Sequence, residues 1–218
     1  MMALNYIRLM FLMSEFKEIP ASKLSLSKRK LVYGVGLNDA NYAVTTKINS
    51  ITLRCPIYVK WFNMLTRCYS DKFKEKRTSY ADCSVASDWL VFSSFKLWME
   101  KQDWAGKELD KDLLIQGNKK YSQETCLFID RSINVLFISS SATRGKYMLG
   151  VSFHKREGKF RSTCSDGNGG SVYLGDFTSE ELAHNAYKKY KYNLIKELAS
   201  KQDEPVKSAM LNYIINEY

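Results

Sequence analysis

Between Val151 and Leu174, polar and basic side chains alternate with apolar ones, and here the residue types speak most directly to chemistry. Successive side chains of a strand point to opposite faces. The alternation assigns Val151, Phe153, Phe160, Ser162, Cys164, Val172 and Leu174 to a buried face. It assigns Ser152, His154, Arg156, Arg161, Thr163, Ser165, Ser171 and Tyr173 to the outer one. The outer set suits the edges of bases: arginine can bridge guanine O6 and N7, while serine and threonine discriminate less. Lys155 and Lys159 suit phosphates, which position a protein without reading sequence. Cysteine and histidine chemistry is less favoured. Cys55, Cys68, Cys83, Cys126 and Cys164 are odd in number and form no CxxC pair, and His154 and His184 are the only histidines. That argues against a disulfide framework and a zinc site, and for reduced thiols in the cytosol.

Three strands and a helix position the outer set. Glu157-Gly158 turns the chain after the first strand, and the Asp-Gly-Asn-Gly-Gly run at 166–170 is a hairpin turn after the second. Thr178 or Ser179 caps a long helix with Glu180 and Glu181 in its first turn, where the helix dipole favours anions. Leu182, Ala183, Ala186, Tyr187, Tyr190 and Leu194 give that helix an apolar face, and a last helix starts near Pro205. Upstream, Pro56 opens a helix over about 57–69 with Ile57, Trp61, Met64, Leu65 and Cys68 at three- and four-residue steps. A second helix is expected over about 87–101, capped by Ser87 or Asp88, with Trp89, Phe92, Phe95, Trp98 and Met99 inward. Residues 70–80 break the pattern. Leu109–Ile115 and Cys126–Ile129 read as strands, Arg131–Phe137 as a short helix, and 139–145 as a linker.

The 218 residues are enough for one domain or two small ones, and 45% apolar with 26% charged residues excludes general disorder. With 33 Lys and Arg against 23 Asp and Glu, the net charge is +10, which favours an anionic partner, nucleic acid before an anionic membrane. Residues 144–196 alone hold ten Lys and Arg against five Asp and Glu, half of that net charge. No apolar run is long enough to span a bilayer. The first thirteen residues, interrupted by Arg8, do not suit a secretion signal; Met13 is an alternative start, and a short docking helix is the other reading. The basic, serine-rich segment 21–31 reads as a loose arm able to lie on phosphates, or as a solvated tail.

The C-terminal segment resembles the DNA-binding domain of plant ethylene-response factors, the Apetala type. Gly150-Val151, Lys159-Phe160, Val172 to Phe177 (VYLGDF) and Thr178 to Tyr187 (TSEELAHNAY) match its GV, basic-strand, WLG-F and alanine-rich helix pattern over about 50 residues. The resemblance implies a three-stranded sheet laid into the major groove. Tyr173 stands where that family has tryptophan, and the strands carry fewer arginines, so the bases recognised do not carry over.

The middle of the chain resembles phage HNH-type homing endonucleases. The carrying strings are LDKDLL (109–114), GNKKYS (117–122), ETCLFI (124–129) and Asn134, preceded by WFNMLTRCY (61–69) and DWLVFSSF (88–95). The resemblance implies a ββα finger holding one divalent metal, with a histidine as general base. Lys111 occupies the place of that histidine, and lysine is a poor base at neutral pH unless strongly desolvated. In an active finger Asp110, Asp112, Asn118 and Asn134 would offer oxygen ligands to Mg²⁺, with Asp110 and Asp112 as the metal carboxylates. In a degenerate one, no cofactor is expected, and Asp110 and Asp112 are strand-end carboxylates paired with Lys119 or Lys120.

The expected architecture is α+β: an N-terminal helical region with a degenerate HNH-like ββα finger, then a three-stranded antiparallel sheet packed on a long helix. The expected divisions are 1–30 (arm), 31–138 (HNH endonuclease-like), 139–145 (linker) and 146–218 (DNA-binding, with C-terminal helices). The expected function is sequence-specific binding of double-stranded DNA by a phage or mobile-element protein descended from a homing endonuclease, acting as a repressor, in the cytoplasm of a bacterial host. The alternative is an active Mg²⁺-dependent endonuclease. No membrane partner is expected, and monomer and homodimer stay equally open.

Overall fold

The computed structural model describes residues 16–48, 50–137, 145–167 and 169–217. The protein is a mixed α+β chain with several small sheets. It divides into two compact units. Unit one holds the residues up to Trp104 together with Asn118–Thr125; unit two holds Ala105–Gly117 together with the chain from Cys126 onward. Among the described residues, no helix is long and apolar enough to cross a membrane. The expected N-terminal docking helix and most of the 139–145 linker lie outside the described residues.

Unit one is built on helix α2 (Pro56–Tyr69). Proline at its first turn costs no hydrogen bond, because that N–H is an orphan in any helix. Its Ile57, Trp61, Met64, Leu65 and Cys68 are buried, as their spacing predicts. Trp61 donates its indole N–H to the Trp89 carbonyl at 2.7 Å, which settles the one polar atom of a fully buried ring. The expected helix over 87–101 is two pieces: a 3-10 turn at Ser87–Leu90, then helix α4 (Phe92–Met99). Val91 between them is extended because it bridges Leu37: the Leu37 N–H reaches the Leu90 carbonyl and the Phe92 N–H the Leu37 carbonyl. Neither Ser87 nor Asp88 caps α4. Asp39, from a distant loop, accepts the Ser93 N–H at 2.9 Å and its hydroxyl at 2.5 Å.

Segment 21–31 is not a loose arm. Ser22 caps a one-turn helix, α1 (Lys23–Ser27), and the Arg29 guanidinium donates to the carbonyls of Asn38, Ala40 and Tyr42. The elements the sequence does not announce include a hairpin of β1 (Thr45–Ile48) and β2 (Ile51–Arg54), and a short helix α3 (Asp71–Lys76) in the charged stretch. Residues 118–125 join unit one through β5 (Lys120–Tyr121), parallel to β3 (Ser84–Val85).

Unit two begins with β4 (Glu108–Asp110), antiparallel to β6 (Leu127–Ile129), followed by helix α5 (Arg131–Leu136). β4 stops well short of Ile115. The Asp110 carboxylate accepts the N–H groups of Asp112 and Leu113 at 3.0 and 2.7 Å, and so bends the chain out of the strand. β7 (Val151–His154), β8 (Lys159–Ser165) and β9 (Ser171–Phe177) form an antiparallel sheet in that order. Helix α6 (Glu180–Ala199), capped by Ser179, lies against β8 and β9, and α7 (Val206–Glu217) follows.

The buried stripe of α6 is Ala183, Tyr187, Lys191, Ile195 and Ala199, so a lysine holds a core position while Leu182 is exposed. Tyr187 packs where Gly150 comes closest, and a Cβ at Gly150 would lie 2.8 Å from its Cε2 and nearer still to Cγ and Cδ2. Leu113, Leu127, Ile129, Ile133 and Leu136 share one core with Ile195, Ala199, Ala209 and Met210. Unit two therefore draws on both sides of the 139–145 segment.

Candidate nucleic-acid interface

The sheet of unit two fixes the outer face by its register. Ser152 pairs with Arg161, His154 with Lys159, Thr163 with Tyr173 and Ser165 with Ser171. Directly opposed residues share a face. The expected outer residues of the strands therefore lie together, with Lys159 added to them, and Tyr173 is 58% exposed. Lys155 and Arg156 are exposed in the turn beyond β7.

The register also departs from simple alternation. Ser162 pairs with Gly175 while Thr163 pairs with Tyr173, so Leu174 is an extra residue in β9. Gly175, at φ +128°, takes a conformation that a side chain would resist. Beyond this bulge the parity of β9 is reversed, and Asp176 comes up opposite Arg161. Its carboxylate accepts from Arg161 Nε at 2.9 Å and Nη2 at 3.0 Å, a fork-to-fork pair. The same guanidinium lies 5.3 Å over the Tyr173 ring. The Arg161 fork, aided by the Tyr173 hydroxyl, holds the Asp176 carboxyl down at about 2.

Asp176 is a candidate residue of this face that the sequence does not single out. Its signal was Gly175, since a glycine inside a strand pattern marks a bulge. Glu157 adds a second carboxylate, with its Oε2 3.8 Å from His154 Nδ1. The face thus carries acceptors as well as donors. Arg161 keeps Nη1 clear of the Asp176 fork, in a guanidinium whose plane is already fixed.

Inward, Cys164 is buried and burial raises its thiol above the ordinary range, while Ser162 buries a hydroxyl with no hydrogen-bond partner among the described residues. All five cysteines are buried and unbridged.

The second block of candidate residues is engaged differently. Lys111 is buried, and its Nζ donates to both Asp112 oxygens at 2.7 and 2.8 Å. Asp110 holds the turn described above, and desolvation raises its carboxyl above the ordinary value. Asn134 donates to Glu108 Oε2 at 2.5 Å, tying α5 to β4. Asn118 belongs to unit one, where its side chain accepts the Lys120 N–H at 3.0 Å and donates to the Lys120 carbonyl at 2.7 Å. The expected pairing of Asp110 or Asp112 with Lys119 or Lys120 is not formed: Asp112 takes Lys111, and Lys119 Nζ donates to the Ser79 carbonyl at 2.9 Å. Among the described residues, no group of three His, Cys, Asp or Glu side chains is placed to hold a metal ion.

Comparison with known proteins adds no relative to set beside this geometry: no family model matches the chain, and neither a characterised protein nor a solved structure resembles it significantly.

Proposed function

We propose that the chain binds double-stranded DNA in a sequence-specific way through the outer face of β7–β9. In this reading it is a phage or mobile-element protein of the bacterial cytoplasm, descended from an HNH-type endonuclease and acting as a repressor. The observation that carries the reading is Arg161, held in a fork by Asp176 and seated over Tyr173 on an exposed sheet face. An arginine fixed in this way loses little side-chain entropy when it meets guanine O6 and N7. Lys155, Arg156 and Lys159 at the turn supply phosphate contacts. The block around Asp110 serves as scaffold, since the side chains a nuclease would use are spent on a turn, an ion pair between buried Lys111 and exposed Asp112, and a strand–helix tie.

The test captures sheared genomic DNA on the purified protein with Mg²⁺ present and sequences both the bound fragments and their ends. Enrichment of one site with intact ends is the expected result. Asp110→Ala should leave that enrichment in place. No enrichment would overturn DNA binding. Uniform breaks beside the site, lost in Asp110→Ala with binding retained, would overturn the scaffold assignment in favour of the nuclease.

A further inference from the structure

The positive charge of this protein is not where the sheet is. Unit one carries 18 Lys and Arg against 10 Asp and Glu, a net +8, and unit two 15 against 13, a net +2. The surplus seen over 144–196 is offset once residues 105–117 and the acidic C-terminal stretch are counted with it. Within unit two, Arg161 is paired and Lys191 is buried, where desolvation lowers its pKa. In unit one the surplus is concentrated early: residues 16–60 hold eight Lys and Arg against two Asp and Glu.

The β1–β2 hairpin rises from this segment as a two-stranded ribbon. Among the described residues it pairs with no third strand. The register opposes Thr45 to Arg54 and Lys47 to Thr52, so these four share one face, and all four are exposed. Thr46 and Leu53, opposed on the other face, are half-buried. Neither Lys47 nor Arg54 is held in an ion pair among the described residues. Lone two-stranded hairpins are marginally stable, so one that projects an unpaired basic face is costly to keep for structure alone. Its shape is one that the major groove of duplex DNA admits. Thr45 and Thr52 add hydroxyl donors between the two cations.

We propose that the β1–β2 ribbon is a second contact to duplex DNA, with Lys47 and Arg54 on phosphates or base edges and Thr45 and Thr52 between them. The proposal rests on duplex DNA being the partner, and the test separates it from the sheet reading. Full-length wild type, Lys47→Gln/Arg54→Gln and Arg161→Ala are titrated with the enriched duplex at several salt concentrations. Each lost phosphate contact should reduce the slope of log affinity against log salt by roughly 1. The ribbon variant is therefore expected to bind more weakly, with a slope lower by about 2 if both cations sit on phosphates. Arg161→Ala should relax base preference instead.

A ribbon variant that matches wild type in affinity and slope, while Arg161→Ala binds more weakly, overturns the ribbon and leaves the sheet reading standing. The reverse pattern supports the ribbon and overturns the sheet orientation. Wild type that binds no duplex overturns both. Wild type that binds phosphatidylserine vesicles in place of duplex, with that binding lost in the ribbon variant, assigns the face to a membrane surface and overturns the proposal.

Discussion

Gly150→Ala is the sharpest test of how unit two holds the β7–β9 sheet against its long helix. Gly150 sits at φ +78°, just before β7, and its carbonyl accepts the Thr163 N–H at 2.9 Å. Placing a side chain in the left-handed region costs roughly 1–2 kcal/mol. The added Cβ would also lie within the contact distance of the Tyr187 ring, on its Cγ and Cδ2 as well as Cε2. Those atoms belong to the root of a buried side chain in the middle of α6, so the ring has little freedom to swing away. Overpacking of this kind costs roughly 1–3 kcal/mol. The sum is about 2–5 kcal/mol, a large fraction of the stability of an ordinary domain. For a cooperative unit of about a hundred residues it implies a fall in melting midpoint on the order of 10 °C or more.

The assay is thermal unfolding of the full chain, with amide exchange of β7–β9 as the readout specific to unit two. A second variant isolates the contact. Tyr187→Ala alone opens a cavity and should cost roughly 3–5 kcal/mol. In Gly150→Ala/Tyr187→Ala the overpacking disappears, so the double variant should be more stable than the sum of the singles by about 1–3 kcal/mol. Gly150→Ala within about 0.5 kcal/mol of wild type would place it among neutral surface changes and refute the packing argument. Strict additivity would refute the attribution to Tyr187.

Two further outcomes follow from the charged groups of unit two. Asp176 is held at about 2, below its ordinary 3.8, chiefly by the Arg161 fork. A depressed carboxylate contributes stability that is present above the ordinary value and lost as pH falls through the folded one. The fork should therefore persist to about pH 2, and Arg161→Ala should move the Asp176 titration, read by carboxyl NMR shifts, back toward the ordinary range; an unmoved titration would refute the fork. Lys191 is depressed from 10.5 by burial, so the unfolded chain binds the extra proton and stability rises with pH up to the ordinary lysine value. Lys191→Met should remove that rise and gain about 1 kcal/mol or more at neutral pH, measured by urea unfolding; a loss of stability at pH 7 would show that the ammonium is well solvated or paired.

The sequence was legible where one residue's neighbours decide its conformation. The α2 stripe, the Ser179 cap and the turns at 157–158 and 166–170 all follow from local periodicity and turn chemistry, and all are present. It was illegible where a distant partner decides. Asp39 caps α4 from more than fifty residues away, Leu37 straightens Val91, and Arg29 is drawn into three carbonyls, so a cap, a helix and an arm were each misread.

The candidate site shows the same division within one strand. Alternation placed Tyr173 correctly because it lies before the bulge. Carried past Leu174, the same rule would turn Asp176 inward, toward α6. One inserted residue reverses parity for everything after it, and parity is the whole content of an alternation argument. The consequence is chemical as well as geometric. Without the bulge, Arg161 would be a mobile cation on a basic face; with it, the arginine is half of an oriented pair and the face carries an acceptor beside its donor. Under the proposed DNA reading, base preference would depend on Asp176 as well as on Arg161, because a carboxylate can accept from the cytosine amine. Gly175, whose backbone the bulge requires, is therefore what brings Asp176 opposite Arg161, although it contributes no side chain of its own to that face.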